Sequence, residues 1–304
     1  MTAINGSSEY ATTTAFRRAL EDRLKARSKE TGRPLEELRR EFLFQRFLAL
    51  VFQYPGSAWI LKGGAGLLMR LPEARFSKDL DLYRSGGLDA AEAMAELREL
   101  TVPRDGDHLE FTVDGPVASG QDNRLAQARI TAYIGSMYGA FPVDLALDLK
   151  LVATLETVRP DPVVDVPGLG PIPEFVLYPL ADQVADKVCA MYELHGRQAA
   201  VSTRYRDLID LALIVTTSSL DARHLRSALK LERERRRIEL PAKLEQPGPN
   251  WMAGYAAIAR REKAARKFRD IGTALALVSA CLSPVLSGER TSGKWHPTDG
   301  WADR

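Results

Sequence analysis

Between residues 13 and 29 the apolar positions Phe16, Leu20 and Leu24 recur every four residues, the spacing of one helix face. Thr31-Gly32-Arg33-Pro34 breaks that pattern, and Pro34 suits the first turn of a second helix. This helix should run to about Phe52, with Leu35, Leu38, Phe42, Phe47 and Leu50 as its apolar positions. Arg39, Arg40 and Arg46 on it read as solvated arginines. The period then changes. Trp59-Ile60-Leu61 is a short run of buried-strand type, Lys62-Gly63-Gly64 ends it, and Ala65 to Arg70 opens a helix. After a loop containing Pro72, Asp79-Leu80-Asp81-Leu82 alternates with period two, which puts two carboxylates on one strand face and two leucines on the other. An Ala-rich helix over 88–100 precedes three strand-like stretches at 108–113, 127–134 and 141–150. In the third, Val143, Leu145, Leu147 and Leu149 fill one face while Asp144, Ala146 and Asp148 lie on the other.

Residues 156–173 are rich in Pro, Val and Gly and show no helical period, so they read as a linker with room for one short strand. The boundary placed there divides the chain into a first domain over 1–170 and a helical domain over 171–304. A helix starts at Leu180, in which Val184, Lys187, Val188 and Met191 fall at i, i+3, i+4 and i+7. Lys187 therefore sits on or beside an apolar stripe, as a snorkelling side chain or as a cation directed inward. In the next helix Leu208, Leu211, Ala212 and Val215 mark the core, with Asp207 and Asp210 on a flanking face. One of these aspartates is expected to hold Lys187 or an attacking hydroxyl, and the other to pair with Arg206 at i, i+4. Trp251 and Tyr255 read as core, 271–286 as a last buried helix, and 287–304 as a polar, loosely held tail.

Composition narrows the partners. The 304 residues are 45% hydrophobic, which suits a sizeable core, and the net charge of +2 announces no nucleic-acid partner by itself. Basic character is local, at 232–237 and 259–269, where it matches a phosphate-tracking patch as well as a solvated face. Cys189 and Cys281 lie in apolar surroundings and read as free buried thiols, and the four histidines show no ligand spacing. A polar start and the lack of a long apolar run point to a cytoplasmic protein without a membrane segment.

The candidate chemistry lies at 59–83. Two like charges on one strand face need a compensating cation, and Mg²⁺ prefers oxygen ligands that it shares with substrate phosphates. Gly63 and Gly64 let a triphosphate approach backbone amides at a helix start, where the dipole favours anions. The order strand, Gly-Gly, helix, loop, D-x-D strand resembles DNA-polymerase-β-type nucleotidyltransferases. L-K-G-G-A at 61–65 and R-F-S-K-D-L-D-L at 75–82 resemble the AbiEii/AbiGii toxin family, which includes the MenT-type toxins. The helical A-D-K-V-x-A-M string around Lys187 and R-D-L-x-D-L at 206–211 match the same family, so the resemblance spans roughly Phe16 to Leu286.

That resemblance implies an α+β fold: a polymerase-β-like nucleotidyltransferase domain, with a mixed sheet and flanking helices, plus a C-terminal helical domain. It implies transfer of a nucleoside monophosphate from an NTP to an RNA acceptor, the 3′ end of a tRNA, with growth arrest as the result and an antitoxin as partner. A protein or small-molecule hydroxyl as acceptor, and a non-catalytic module that binds NTP or RNA, are the alternatives. Asp79 and Asp81 would hold Mg²⁺ or Mn²⁺, with Asp144 completing the site. Asp148, about 13 Å away along the strand, is the other candidate. Lys62, Gly63, Gly64, Ser77 and Lys187 would hold the triphosphate, with Lys187, Asp207 and Asp210 among the catalytic groups. The chain departs from the wider superfamily at Gly63-Gly64, where Gly-Ser is usual, and Ser77 is the candidate replacement.

Overall fold

The computed structural model describes residues 9–118, 125–147, 150–196 and 198–303. They fall into two compact units. The first comprises Met1–Pro72, Phe76–Leu149 and Glu156–Leu177; the second comprises Glu73–Arg75, Lys150–Leu155 and Tyr178–Arg304.

The first unit is α+β. Helices α1 (Thr13–Thr31) and α2 (Leu35–Val51) precede β1 (Trp59–Lys62), α3 (Gly63–Arg70), β2 (Leu80–Arg84) and α4 (Ala90–Leu100). Strands β3 (Glu110–Ala118), β4 (Leu125–Ile134), β5 (Ser136–Leu147), β6 (Glu156–Val158) and β7 (Phe175–Leu177) complete it. Among the described residues these strands form one mixed sheet in the order β3-β4-β5-β2-β1-β7-β6. The β2–β5 and β1–β7 pairs are parallel and the remaining neighbours antiparallel.

Local chemistry sets the helix ends. Thr12 accepts a hydrogen bond from the Ala15 amide at the start of α1, and Gly32 closes that helix in the left-handed conformation. Asp89 and Glu92 form a capping box at the start of α4. Helix α2 is buried almost all round, which places it inside the core rather than on it. Arg39 on α2 is bonded to Glu21 on α1 at 2.9 Å rather than solvated, and Arg46 is only 4% exposed.

The segment expected to be a linker belongs to the first unit. Its apolar residues Val163, Val166 and Ile172 are buried in the core, and β6 and β7 extend the sheet beside β1. The lack of helical period was real; irregular backbone held by the Gln45 side chain took its place. That amide donates to the Asp161 carbonyl at 2.8 Å and accepts from the Val163 amide at 2.9 Å.

The second unit is mainly helical. It contains α5 (Leu180–Tyr192), the small β8 (Leu194–His195) and β9 (Ala200–Val201) ladder, α6 (Tyr205–Thr217), β10 (Leu220–Asp221) and α7 (Ala222–Arg236). Then come α8 (Trp251–Ala259), a 3-10 turn over Lys263–Phe268, α9 (Ile271–Leu286), and β11 (Lys294–His296) and β12 (Gly300–Ala302). Trp251 and Tyr255 are core residues, with Trp251 Nε1 donating to the Ser202 carbonyl at 2.9 Å. Gly254 is required beside them: a Cβ there would stand 2.2 Å from the Tyr205 ring. Both cysteines are free and buried. None of the described helices is long and apolar enough to cross a membrane.

The tail expected to be loose is instead a docked hairpin. β10, β11 and β12 form a small antiparallel sheet. Trp295 Nε1 donates to the Val215 carbonyl at 2.7 Å and Trp301 Nε1 to the Cys281 carbonyl at 3.0 Å. Two indoles anchor a stretch whose other residues are mostly polar. Trp295→Ala should therefore lower the unfolding free energy by about 3 kcal/mol, the low end of the range for a buried Trp→Ala change, as read by urea denaturation. A loss below about 1 kcal/mol would mean that the hairpin is not part of the packed unit.

Candidate functional site

Sheet register brings the first set of candidate residues together. Lys62 on β1 pairs with Asp81 on β2, Asp81 with Asp144 on β5, and Asp144 with Gln127 on β4. Register partners share a sheet face. Adjacent strands lie about 4.8 Å apart, so the four side chains form one transverse row, lysine, carboxylate, carboxylate, amide. The flanking Leu61, Leu80, Leu82, Val143 and Leu145 are buried, whereas Asp81 and Asp144 are half-buried. Gln127 Nε2 donates to Asp144 Oδ1 at 2.7 Å. Asp148 lies outside the described residues.

Asp79 differs from the expectation in one respect. Strand β2 begins at Leu80, and Asp79 sits in the bend just before it. Ser77 is 2% exposed, and its hydroxyl donates to Asp79 Oδ1 at 2.7 Å. The serine thus orients a carboxylate in this structure.

Gly63 is fixed by its surroundings. Its φ is +64°, and a Cβ on it would stand 1.8 Å from Asp81 Oδ2. The Asp81 carboxylate therefore lies directly against the backbone where β1 turns into α3. Gly64 follows, buried, in the first turn of α3, and the N-cap residue Lys62 provides no side-chain cap.

Among the described residues no group of three His, Cys, Asp or Glu side chains forms a metal cage by itself. Mg²⁺ needs no such cage, since one or two carboxylates and substrate phosphates complete its shell. Asp81 and Asp144, in register on neighbouring strands, offer the oxygen type of ligand that a hard divalent cation takes.

The second unit holds a separate buried ion cluster. Lys187 on α5 is 6% exposed, Asp207 and Asp210 on α6 are 6% and 1% exposed, and all three meet. Lys187 Nζ lies 2.9 Å from Asp207 Oδ1 and 2.6 Å from Asp210 Oδ2. Arg75 Nε and Nη2 reach the Asp210 oxygens at 3.1–3.3 Å, a bidentate geometry. The expected Arg206–Asp210 pair does not form: Asp210 faces the interior, and Arg206 instead bonds Glu262 at 3.0 Å. Burial pulls the Lys187 pKa down, but Asp207 and Asp210 outweigh it and hold the ammonium above its ordinary value. Burial likewise raises Asp210, but Lys187 and Arg75 outweigh it and hold the carboxyl below the ordinary range.

Sequence reasoning missed Arg75 and Gln127. Arg75 stood inside the R-F-S-K-D-L-D-L string, next to the residues that drew attention, and Gln127 occupied an exposed strand position with no local signal.

The sequence profile of the family described as "Nucleotidyl transferase AbiEii toxin, Type IV TA system" matches residues 46–276. Similar solved structures include MenT4, a nucleotidyltransferase toxin from Mycobacterium tuberculosis H37Rv, at 20% identity and TM-score 0.49, covering 88% of this chain and 99% of that one. A putative nucleotidyltransferase from H. pylori is similar at 13% identity and TM-score 0.45, covering 81% and 95%. JHP933 from Helicobacter pylori is similar at 13% and 0.45, covering 82% and 92%. No curated protein sequence matches significantly.

The ion cluster makes a stability prediction. Asp210→Ala leaves Lys187 and Arg75 buried without their shared carboxylate and should cost about 3–5 kcal/mol at pH 7, read by urea denaturation. Because Asp210 is held low, its contribution is complete above the unfolded carboxylate value of about 3.9 and is lost as pH falls through the lowered folded value. The parent and Asp210→Asn unfolding free energies should therefore converge as pH falls. A constant gap down to the acid limit would contradict this assignment.

Proposed function

Because this chain belongs to the AbiEii nucleotidyl transferase toxin family of type IV toxin–antitoxin systems, we propose that it transfers a nucleoside monophosphate from an NTP to an RNA acceptor, the 3′ end of a tRNA, and so arrests translation and growth. One observation carries the site assignment: Asp81 and Asp144 stand in register on neighbouring strands, with Asp81 against the Gly63 backbone.

The residues of this chain divide the work as follows. Asp79, Asp81 and Asp144 hold Mg²⁺ or Mn²⁺, and such an ion, when bound, neutralises phosphoryl oxygens as a Lewis acid. Ser77 fixes the Asp79 carboxylate and Gln127 fixes that of Asp144, so the acidic groups are oriented before substrate arrives. Gly63 and Gly64 bring backbone amides of the first turn of α3 within reach of an anionic tail, and Lys62 adds positive charge beside them. In the second unit Asp207 and Asp210 keep Lys187 charged and hold its ammonium in place. Catalysis on this plan is positioning and charge stabilisation, with no covalent intermediate on the protein.

Support for a nucleic-acid acceptor lies in the second unit. Arg226 and Lys230 on α7 are exposed and one helical turn apart, whereas Arg235 and Arg236 are tied to Glu232 and Asp186. The cognate antitoxin is the expected protein partner.

Incubation with each radiolabelled NTP and total tRNA in Mg²⁺ should label tRNA, and Asp81→Asn should lower labelling by at least about 10²-fold while leaving the circular dichroism spectrum intact. Label in protein instead would redirect the acceptor assignment, and undiminished labelling by Asp81→Asn would overturn the site. Gly63→Ala makes a second check. Its Cβ has no room beside Asp81, so activity should fall with the carboxylate displaced, although no charge has changed.

A further inference from the structure

Arg46 reads as solvated in the sequence, yet the fold buries it at 4% exposure on α2. Its Nη1 donates to the Gly170 carbonyl at 2.8 Å. Its Nε and Nη2 are buried and have no hydrogen-bond partner. Those two N–H groups form the side-on edge of the guanidinium, the fork that matches a carboxylate bidentately. An arginine keeps its charge inside proteins, and a buried charge without a counter-ion is costly. Burial pushes the Arg46 pKa down to about 10, with the distant Asp107 charge opposing it.

Arg46 lines a cavity of about 90 Å³ in the first unit. Phe42, Val164, Val166, Leu169, Pro171 and Ile172 give it apolar walls. The loop opposite α2 is held in shape by the two Gln45 hydrogen bonds, so the cavity is preformed. That volume admits only a small group, since pockets for larger ligands run from roughly 300 to 1,000 Å³. Asp165, exposed at the lining, disfavours a dianion.

We propose that this cavity binds an organic carboxylate, whose two oxygens take the open Nε and Nη2 edge of Arg46 while its apolar body lies against Phe42, Val164 and Leu169. The inference concerns a site separate from the Asp81–Asp144 row and does not rest on the nucleotidyl-transfer reading. The carboxylate belongs to a small free acid or to the C-terminus of a partner chain; both present the same group to Arg46.

Nuclear magnetic resonance of the full chain, ¹⁵N-labelled at arginine, tests it. The probes are 3-methylbutanoate, inorganic phosphate, and an acetylated peptide ending in Val-Leu as free acid and as amide. 3-Methylbutanoate should shift the Arg46 Nε–H resonance saturably, phosphate should not, and Arg46→Lys, read by isothermal titration, should weaken binding at least about tenfold through loss of the bidentate edge. Tighter binding of the peptide acid than of the small acid, with none by the amide, assigns the site to a chain terminus; the small acid alone assigns it to a metabolite. If Arg46→Lys does not fold, Val164→Trp, which fills the cavity, should abolish the shift while the Nε–H signal persists. No carboxylate-dependent shift, an equal shift with phosphate, or unchanged affinity in the folded variants overturns the proposal.

Discussion

Two carboxylates, Asp81 and Asp144, face the same side of neighbouring strands at directly paired positions. Like charges so placed repel, and a sheet accepts them only where something positive stands close by. The surrounding residues answer that demand in part. Lys62 stands on the far side of Asp81 in the next strand, and Gln127 donates its amide to Asp144. A lysine and an amide beside two carboxylates suit the proposed row, in which a cation would be shared with an anionic substrate.

The backbone beside that row has been shaped to it. At Gly63 the chain turns from β1 into α3 with positive φ, and the Asp81 carboxylate occupies the space that a side chain would need. One residue thus satisfies two conditions, a left-handed conformation and a close approach, either of which alone favours glycine. The second unit solves a different electrostatic problem. Lys187, Arg75, Asp207 and Asp210 put two positive and two negative groups in a nearly dry interior. They neutralise one another, and Asp210 is the hub because it alone bonds both cations.

Much of this was legible in the chain because it is written in local periods. The spacing of Phe16, Leu20 and Leu24, the alternation at Asp79–Leu82, and the Leu208–Val215 stripe gave the elements that the fold contains, since each pattern is set by one helix or one strand. The alternation of β5 put Asp144 and Asp148 on one face and the family resemblance favoured Asp144, although only pairing across strands could show that it stands opposite Asp81. What stayed hidden depended on contacts far apart in sequence. Arg75 meets Asp210 across 135 positions, and Arg46 reaches Gly170 across 124. The polar tail gave no period, yet two tryptophans dock it, and 156–173 lacked period because its order comes from Gln45 and the β1 edge rather than from repeating side chains.

On the proposed reading the acidic row is a divalent-cation site completed by an anionic substrate. Isothermal titration of Mn²⁺ into the chain, with a non-hydrolysable NTP analogue present, tests it most directly, because the readout is binding and needs no acceptor. Saturable Mn²⁺ binding is expected, lost in Asp144→Asn and weakened when the analogue is left out. Equal Mn²⁺ affinity in Asp144→Asn and the parent chain would contradict it.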